Sequence, residues 1–406
     1  MTKLRLLATA VACTLLGSAG TATSGSAQAP RLAPMEIAVQ DDATFVARDT
    51  FGPEAAFTRA RQVGASRVRI IMNWHQAVAR RRGQRVRFNW GPYDRAVNEA
   101  RARGFRVQIT LTGTPSYVPK GDHYLSYRRP QPRRLARFAR SVAAHFRGRV
   151  DRYAVWNEPN SAVFLSPGGR CRARTCAREA GARYRALYTA GYGAVKSADP
   201  AAQVLIGETA PNGLRGRVVA PLAFLREVAC RRPDGAPSRP CPTLTADGYA
   251  HHPYQFRTAP GTVVPEHPDE VGLSSLPRLH GALVALRNAG ALRASDGQPL
   301  GVYVTEFGYF KSGTRRGTVS EGVRARWLPQ AFELAASYGF VRQMTYYHLF
   351  ETRRGVKWNS GIVRRSGLET PSFEALRAWA MMNRDRLVAP PAAPPPPAVA
   401  APPPAR

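Results

Sequence analysis

Two glutamates stand out by the company they keep. Glu158 closes the run Asp151-Arg152-Tyr153-Ala154-Val155-Trp156-Asn157, and Pro159-Asn160 follow it directly. Glu306 closes Val302-Tyr303-Val304-Thr305 before Phe307-Gly308, 148 positions later (306 − 158). Each run is short and apolar, the pattern of a buried strand that delivers an acid at its C-terminal end. Two carboxyl groups so delivered suit general acid/base and nucleophilic chemistry at a glycosidic bond. In such a pair one acid would attack the anomeric carbon, while the other would protonate the leaving oxygen and later deprotonate water. Retention of configuration needs the two groups roughly 5–5.5 Å apart. Repulsion between them and partial desolvation of one are expected to keep a proton on that one near neutral pH.

The elements that must position this pair form a regular series. Strand candidates are Met35–Val39, Arg67–Ile71, Arg106–Leu111, Asp151–Trp156, Gln203–Gly207, Gly248–His251, Gly301–Glu306 and Gln343–Tyr347. Between them lie amphipathic helices with apolar stripes such as Leu135, Phe138, Val142 and Phe146, or Tyr184, Leu187, Tyr188, Gly191 and Val195. Strands alternating with helices imply an α/β protein with a parallel sheet. No Gly-rich phosphate loop is present, and the distinctive polar residues recur at strand C-termini. Both facts favour a single closed (β/α)8 TIM barrel over a doubly wound sheet. Glu158 then ends strand four and Glu306 strand seven.

On those two strand ends the chain resembles the retaining (β/α)8 glycoside hydrolases, the large clan that includes families 5, 39 and 42. There the acid/base glutamate follows an asparagine at the end of strand four, as in Trp156-Asn157-Glu158-Pro159, and the nucleophile ends strand seven, as in Thr305-Glu306-Phe307-Gly308. Val68-Arg69-Ile70 is similar to the clan's strand-two arginine that supports the nucleophile. His252-Pro253-Tyr254 resembles the His-x-Tyr of family 5, which implies a hydrogen bond from Tyr254 to Glu306. Asn157 is implied to bind the sugar 2-hydroxyl. The likeness runs from about Met35 to Trp379, through Trp90 to Asp94 and Thr114 to Tyr117. It departs at strand eight, where Met344-Thr345-Tyr346-Tyr347-His348 lacks the usual tryptophan, and after strand three, where Thr112-Gly113-Thr114 replaces a histidine.

Other residues admit two readings. Arg69 suits support of the nucleophile or a salt bridge inside the barrel. Trp74, Tyr117, Tyr347 and Trp358 are candidate platforms for the apolar faces of sugar rings, or ordinary packing residues; two of the four are expected to serve. Glu208, after strand five, could bind substrate or pair with an arginine. His251-His252 could be metal ligands, but no carboxylate or third histidine stands at short spacing, so no metal and no cofactor is expected.

Composition sets the setting. Met1 to Ala29 carries Lys3 and Arg5, an apolar stretch to Leu16 and a small-residue end, the order of a secretory signal. The apolar run is far short of the roughly 20 residues of a membrane span. Residues 30–387 form the expected catalytic domain, and 388–406 are almost only Pro and Ala, a solvated tail. In an exported monomer, Cys171, Cys176, Cys230 and Cys241 are expected to staple loop insertions, with Cys171–Cys176 and Cys230–Cys241 favoured by proximity among three pairings. The formal charge is +32, nearly all from arginine. It reflects compositional bias, or it draws the protein to an acidic polymer. No nucleic-acid motif accompanies it. The expected partner is a neutral or anionic polysaccharide. Rival readings are a transglycosylase using the same residues and a catalytically idle, wall-associated carbohydrate binder.

Overall fold

The computed structural model describes residues 33–49, 51–79, 86–115, 130–165, 173–263, 267–311, 317–353 and 358–391, with the side chains of 173–176 excepted. The leader, most of the tail, the Cys171–Cys176 pairing and Tyr117 fall outside the described residues.

All eight expected strands form, with ends shifted by at most two residues: β1 Glu36–Gln40, β2 Arg67–Asn73, β3 Arg106–Thr112, β4 Arg152–Val155, β5 Gln203–Thr209, β6 Gly248–His251, β7 Val302–Phe307 and β8 Val341–Tyr347. They pair in parallel in sequence order. The ring closes where Glu36 of β1 meets Gln343 of β8 while Ala38 meets Arg67 of β2. Among the described residues one helix of eight or more residues follows each strand: α1 Pro53–Gln62, α2 Gly91–Ala102, α3 Pro132–His145, α4 Ala173–Ala198, α5 Pro221–Val228, α6 Leu276–Asn288, α7 Glu321–Ser337 and α8 Pro371–Met382. Six of them carry proline in the first two positions, where the missing N–H has no intrahelical partner to lose. Two short strands, Leu244–Ala246 and Leu292–Ala294, pair apart from the barrel and had no counterpart in the sequence reading.

The outward strand faces and the helix stripes make the main core. Leu135, Phe138, Val142 and Phe146 of the α3 region are wholly buried, as are Ile109 and Leu111 of β3. Each such side chain contributes roughly 1.5–3 kcal/mol by leaving water. Gly191 of α4 lets that helix approach β4, since a Cβ there would stand 3.0 Å from Val155.

The inside of the barrel is different. Barrel interiors are usually filled by layers of branched apolar side chains; here only Ala154, Leu205, Ala250 and Tyr303 form an apolar layer. Below it, Arg67 bonds Glu36 at 2.7 Å and Asp151 at 2.6 Å, and Arg152 bonds Glu36 at 2.6 Å while lying over the Tyr303 ring. Above it, Arg69 gathers Gln40, Glu208, Asn157 and Glu306. Buried charges persist only when paired, and each of these is.

The disulfide Cys230–Cys241 follows α5 and precedes β6, which topology assigns to the rim opposite the strand C-termini.

Candidate active site

The residues after β4 leave the strand in a tight turn. Trp156 and Glu158 take left-handed backbone angles, φ 73° and 40°. Such conformations cost an L-residue of order 1–3 kcal/mol each. Surrounding bonds hold them: Trp156 N donates to Leu111 O, its indole N–H to Phe164 O, and Glu158 N to Glu208 O, at 2.8, 2.8 and 2.9 Å. Glu208 is itself left-handed and follows Gly207, whose φ of 110° sits at a register shift between β5 and β6. Two distorted strand ends thus brace each other through the Glu158–Glu208 bond.

Glu306, the fifth residue of β7, is 8% exposed. Its Oε1 accepts from Arg69 Nη1 at 2.8 Å and its Oε2 from the Tyr254 hydroxyl at 3.0 Å. Burial alone would raise its pKa; His252 and Arg69, with the Arg69 and Tyr254 hydrogen bonds, outweigh burial and hold it below the ordinary carboxylate range. Burial and the neighbouring Glu306 charge push the Tyr254 phenol well above its usual value, so it stays a donor.

Glu158 is less enclosed. The Nδ1 of His252 lies 3.1 Å from Glu158 Oε1 and 3.7 Å from Glu306 Oε2. One oxygen of each glutamate and a ring nitrogen of His252 all fall within 4.8 Å of one another. Burial opposes charge on His252, but Glu306 and Glu158 together raise its pKa. His251 is turned away: it bonds Thr209 Oγ1 and the carbonyl of Val271, and burial drives its pKa down to about 3.

No carboxylate stands at short spacing from the histidine pair along the chain, but in space Glu158 and Glu306 both reach His252. A divalent cation there would have to displace the Arg69 and Tyr254 protons from Glu306 and sit beside a guanidinium. The donor set fits proton chemistry better than a metal.

Arg69 forms buried ion pairs inside the barrel with both Glu208 and Glu306. Glu208, 0% exposed, pairs with Arg69 at 2.5 Å and accepts from Thr110 Oγ1 at 2.9 Å, so it braces the floor and does not face substrate. Asn157 is buried, with Oδ1 accepting from Arg69 Nη2 at 3.1 Å. Among the aromatic candidates, Trp74 is a correction. It is 2% exposed and stacked on Phe138 at 5.3 Å, because it opens a short helix that folds back against α3, and it has no free face for a sugar. Tyr347 is half-buried and joined to His348 by a cis peptide. Trp358 is half-buried beside Phe310 (4.7 Å) and Tyr254 (6.2 Å).

Gln40, Gln108, Thr110 and Asp42 were missed. Asp42 accepts from Ile71 N and Gln40 Nε2, both at 2.8 Å, and burial raises its pKa to about 6. The available signal was alternation: Glu36, Ala38 and Gln40, or Gln108, Thr110 and Thr112, put small or polar groups at every second strand position.

The sequence matches no family model and no curated protein. Solved structures do match. A family 39 glycoside hydrolase from Bacteroides cellulosilyticus WH2 superposes with TM-score 0.61 at 20% identity, covering 86% of this chain and 64% of that one. A monomeric beta-xylosidase from Caulobacter crescentus CB15 gives 0.56 at 19%, covering 86% and 67%. An exo-beta-1,4-mannosidase from Opitutaceae bacterium strain TAV5 gives 0.55 at 14%, covering 87% and 60%. The chain spans about two thirds or less of the length of these proteins. At such identities the likeness establishes the (β/α)8 fold.

Proposed function

We propose that this chain is a retaining glycoside hydrolase that cleaves O-glycosidic bonds in a polysaccharide or oligosaccharide. The observation that carries the reading is the pair itself: two glutamate carboxyls with oxygens within 4.8 Å, on the fourth and seventh strand ends, Glu306 held by Arg69 and Tyr254 and Glu158 by His252. That spacing belongs with double displacement; inverting pairs stand roughly 6.5–9.5 Å apart to admit a water.

Glu306, held ionised by Arg69 and Tyr254, attacks the anomeric carbon as the C–O bond to the leaving group breaks. Glu158 gives its proton to the departing oxygen. In the second step Glu158 takes a proton from water, the water oxygen bonds the anomeric carbon, and Glu306 leaves as a carboxylate. Asn157 has its Oδ1 committed to Arg69, which leaves the Nδ2 protons for the sugar 2-hydroxyl. His252 bridges the two acids, its Nδ1 3.1 Å from Glu158 and 3.7 Å from Glu306. Trp358 and Tyr347 supply apolar faces for sugar rings.

The fold neighbours include proteins described as a beta-xylosidase and an exo-beta-1,4-mannosidase, which supports a glycoside substrate without selecting a sugar. Export is supported by the leader-like N-terminus and by the Cys230–Cys241 bond, at home in an oxidising compartment. Among the described residues no helix is long and apolar enough to cross a membrane.

A mechanism-based epoxide or fluorosugar inactivator tests the assignment. Peptide mapping should find the label on Glu306. A label elsewhere, with Glu306→Gln still turning over, defeats it.

A further inference from the structure

A groove of about 1000 Å³ begins one residue beyond the proton donor. Neither catalytic glutamate lines it. It starts at Pro159, Asn160 and Ser161 and continues between α4 and α5 as far as Arg231. The turn after Glu158 is laced to the segment carrying the groove's basic rim. Ala162 N donates to Arg217 O at 2.7 Å, Val219 N to Asn160 O at 2.9 Å, and Asn160 Nδ2 to the carbonyls of Ala210 and Val219. The rim is therefore fixed relative to Glu158.

Its charges are unequal. Asp269 is taken by a two-pronged bond from Arg226 at 2.7 and 2.6 Å, Glu227 lies 3.6 Å from Arg239, and Glu270 accepts from Gly213 N and Asn212. Arg178, Arg215 and Arg217 line the same groove, are exposed, and among the described residues none meets a carboxylate. Three unneutralised guanidinium groups around one concavity make a field and a set of forked donors suited to oxyanions.

Resting on the glycosidase reading, we infer that this groove receives the leaving-group side of the substrate, and that this side is a saccharide chain bearing oxyanion groups. Glu158 protonates the oxygen that departs. The part of the chain attached to that oxygen therefore lies on the Glu158 side, away from Glu306, where the buried Pro159–Ser161 turn leads to the near end of the groove. The arginines then meet its carboxylate or sulfate groups, while the catalytic floor handles the sugar ring whatever its charge.

The test is direct binding by calorimetry to the full chain carrying Glu306→Gln, repeated with Glu158→Gln, so that no turnover intrudes. The probes are a uronic-acid hexasaccharide, a sulfated hexasaccharide and a neutral hexasaccharide. At low salt at least one anionic probe should bind ten-fold or more tightly than the neutral one, and about 0.5 M salt should erase most of that margin. Arg178→Ser/Arg215→Ser/Arg217→Ser should remove it. A charge-matched control, Arg133→Ser/Arg137→Ser/Arg140→Ser on α3, should keep it. The two anionic probes tell carboxylate from sulfate as the source of the oxyanion. Equal affinity for all three probes overturns the inference, and so does an equal loss in the α3 control, which would make the effect diffuse charge. Labelling of Glu306 is read separately: a labelled Glu306 with no anion preference defeats the groove alone, whereas arginine-dependent binding with no label defeats only the catalytic reading.

Discussion

Arg69 is the residue on which the polar cluster at the strand C-termini turns. One guanidinium faces Glu306, Glu208, Asn157 and Gln40 with no exposed surface, so its replacement leaves two buried carboxylates without their cation. Arg69→Met should cost about 3–5 kcal/mol of stability, read from denaturant midpoints. Glu158 and Glu306 should separate kinetically. Glu306→Gln should lose turnover on every substrate. Glu158→Gln should lose about 10²–10⁴-fold where the leaving group needs a proton and much less where it departs unaided, as with nitrophenolate. Tyr254→Phe removes one donor from Glu306 and so raises its pKa. The acid limb of the kcat/KM profile, where Glu306 takes up a proton, should move to higher pH; an unmoved limb would mean that another group sets it. At this scale the placement of both acids was legible from the ends of their strands, and the contacts of Arg69 and Tyr254 with Glu306 from the family resemblance. It was not legible for Trp74: an indole that stacks under a sugar and one that stacks on Phe138 read alike along a chain.

Elements explain why the site is where it is. Eight strands could be counted because each is a short apolar run between amphipathic helices, and six helices announce themselves with a proline near the first position. The sharp ends of β4 and β5 were hidden, since a left-handed glutamate looks like any other in sequence. Gly207 is the exception that could have been noticed. Its φ of 110° disfavours any side chain, and a Cβ would stand 2.4 Å from Ala250 O. Gly207→Ala should therefore destabilise the fold by more than the ~1 kcal/mol of a compatible glycine replacement and lower activity by shifting Glu208 and, through it, Glu158. Chemical denaturation and kcat measured on the same variant decide this. On the opposite rim, opening the Cys230–Cys241 loop by Cys230→Ser/Cys241→Ser should cost about 3 kcal/mol by loop entropy, with catalytic constants unchanged.

The whole molecule carries its charge in two ways, in excess on the outside and in balance along the axis. The excess, +32 over 406 residues, works against compactness as acid groups are protonated. The balance has a definite pH dependence. Burial pushes Glu36 up, but Arg67 and Arg152 outweigh it and bring its pKa down to about 2. A carboxyl whose pKa falls on folding contributes stability that is full above its unfolded value near 4.5 and lost as pH drops toward 2. Glu306 and Asp151 act in the same sense. Thermal midpoints should fall steeply between pH 4.5 and 2 as these pairs are protonated; a flat profile there would remove them from the stability of the fold. The axis escaped the sequence reading because both faces of a barrel strand are buried, and polar residues at alternate positions do not say which face is the inner one. Its consequence is calorimetric. Exposing apolar surface on unfolding raises the heat capacity, whereas exposing polar surface lowers it. Roughly ten polar side chains along the axis in place of aliphatic ones should trim about a tenth from the roughly 5 kcal/mol/K expected for a chain of this size. The protein should then have a flatter stability curve than a barrel of equal length filled with valine and leucine, losing less on cooling and varying less across the temperatures at which it works.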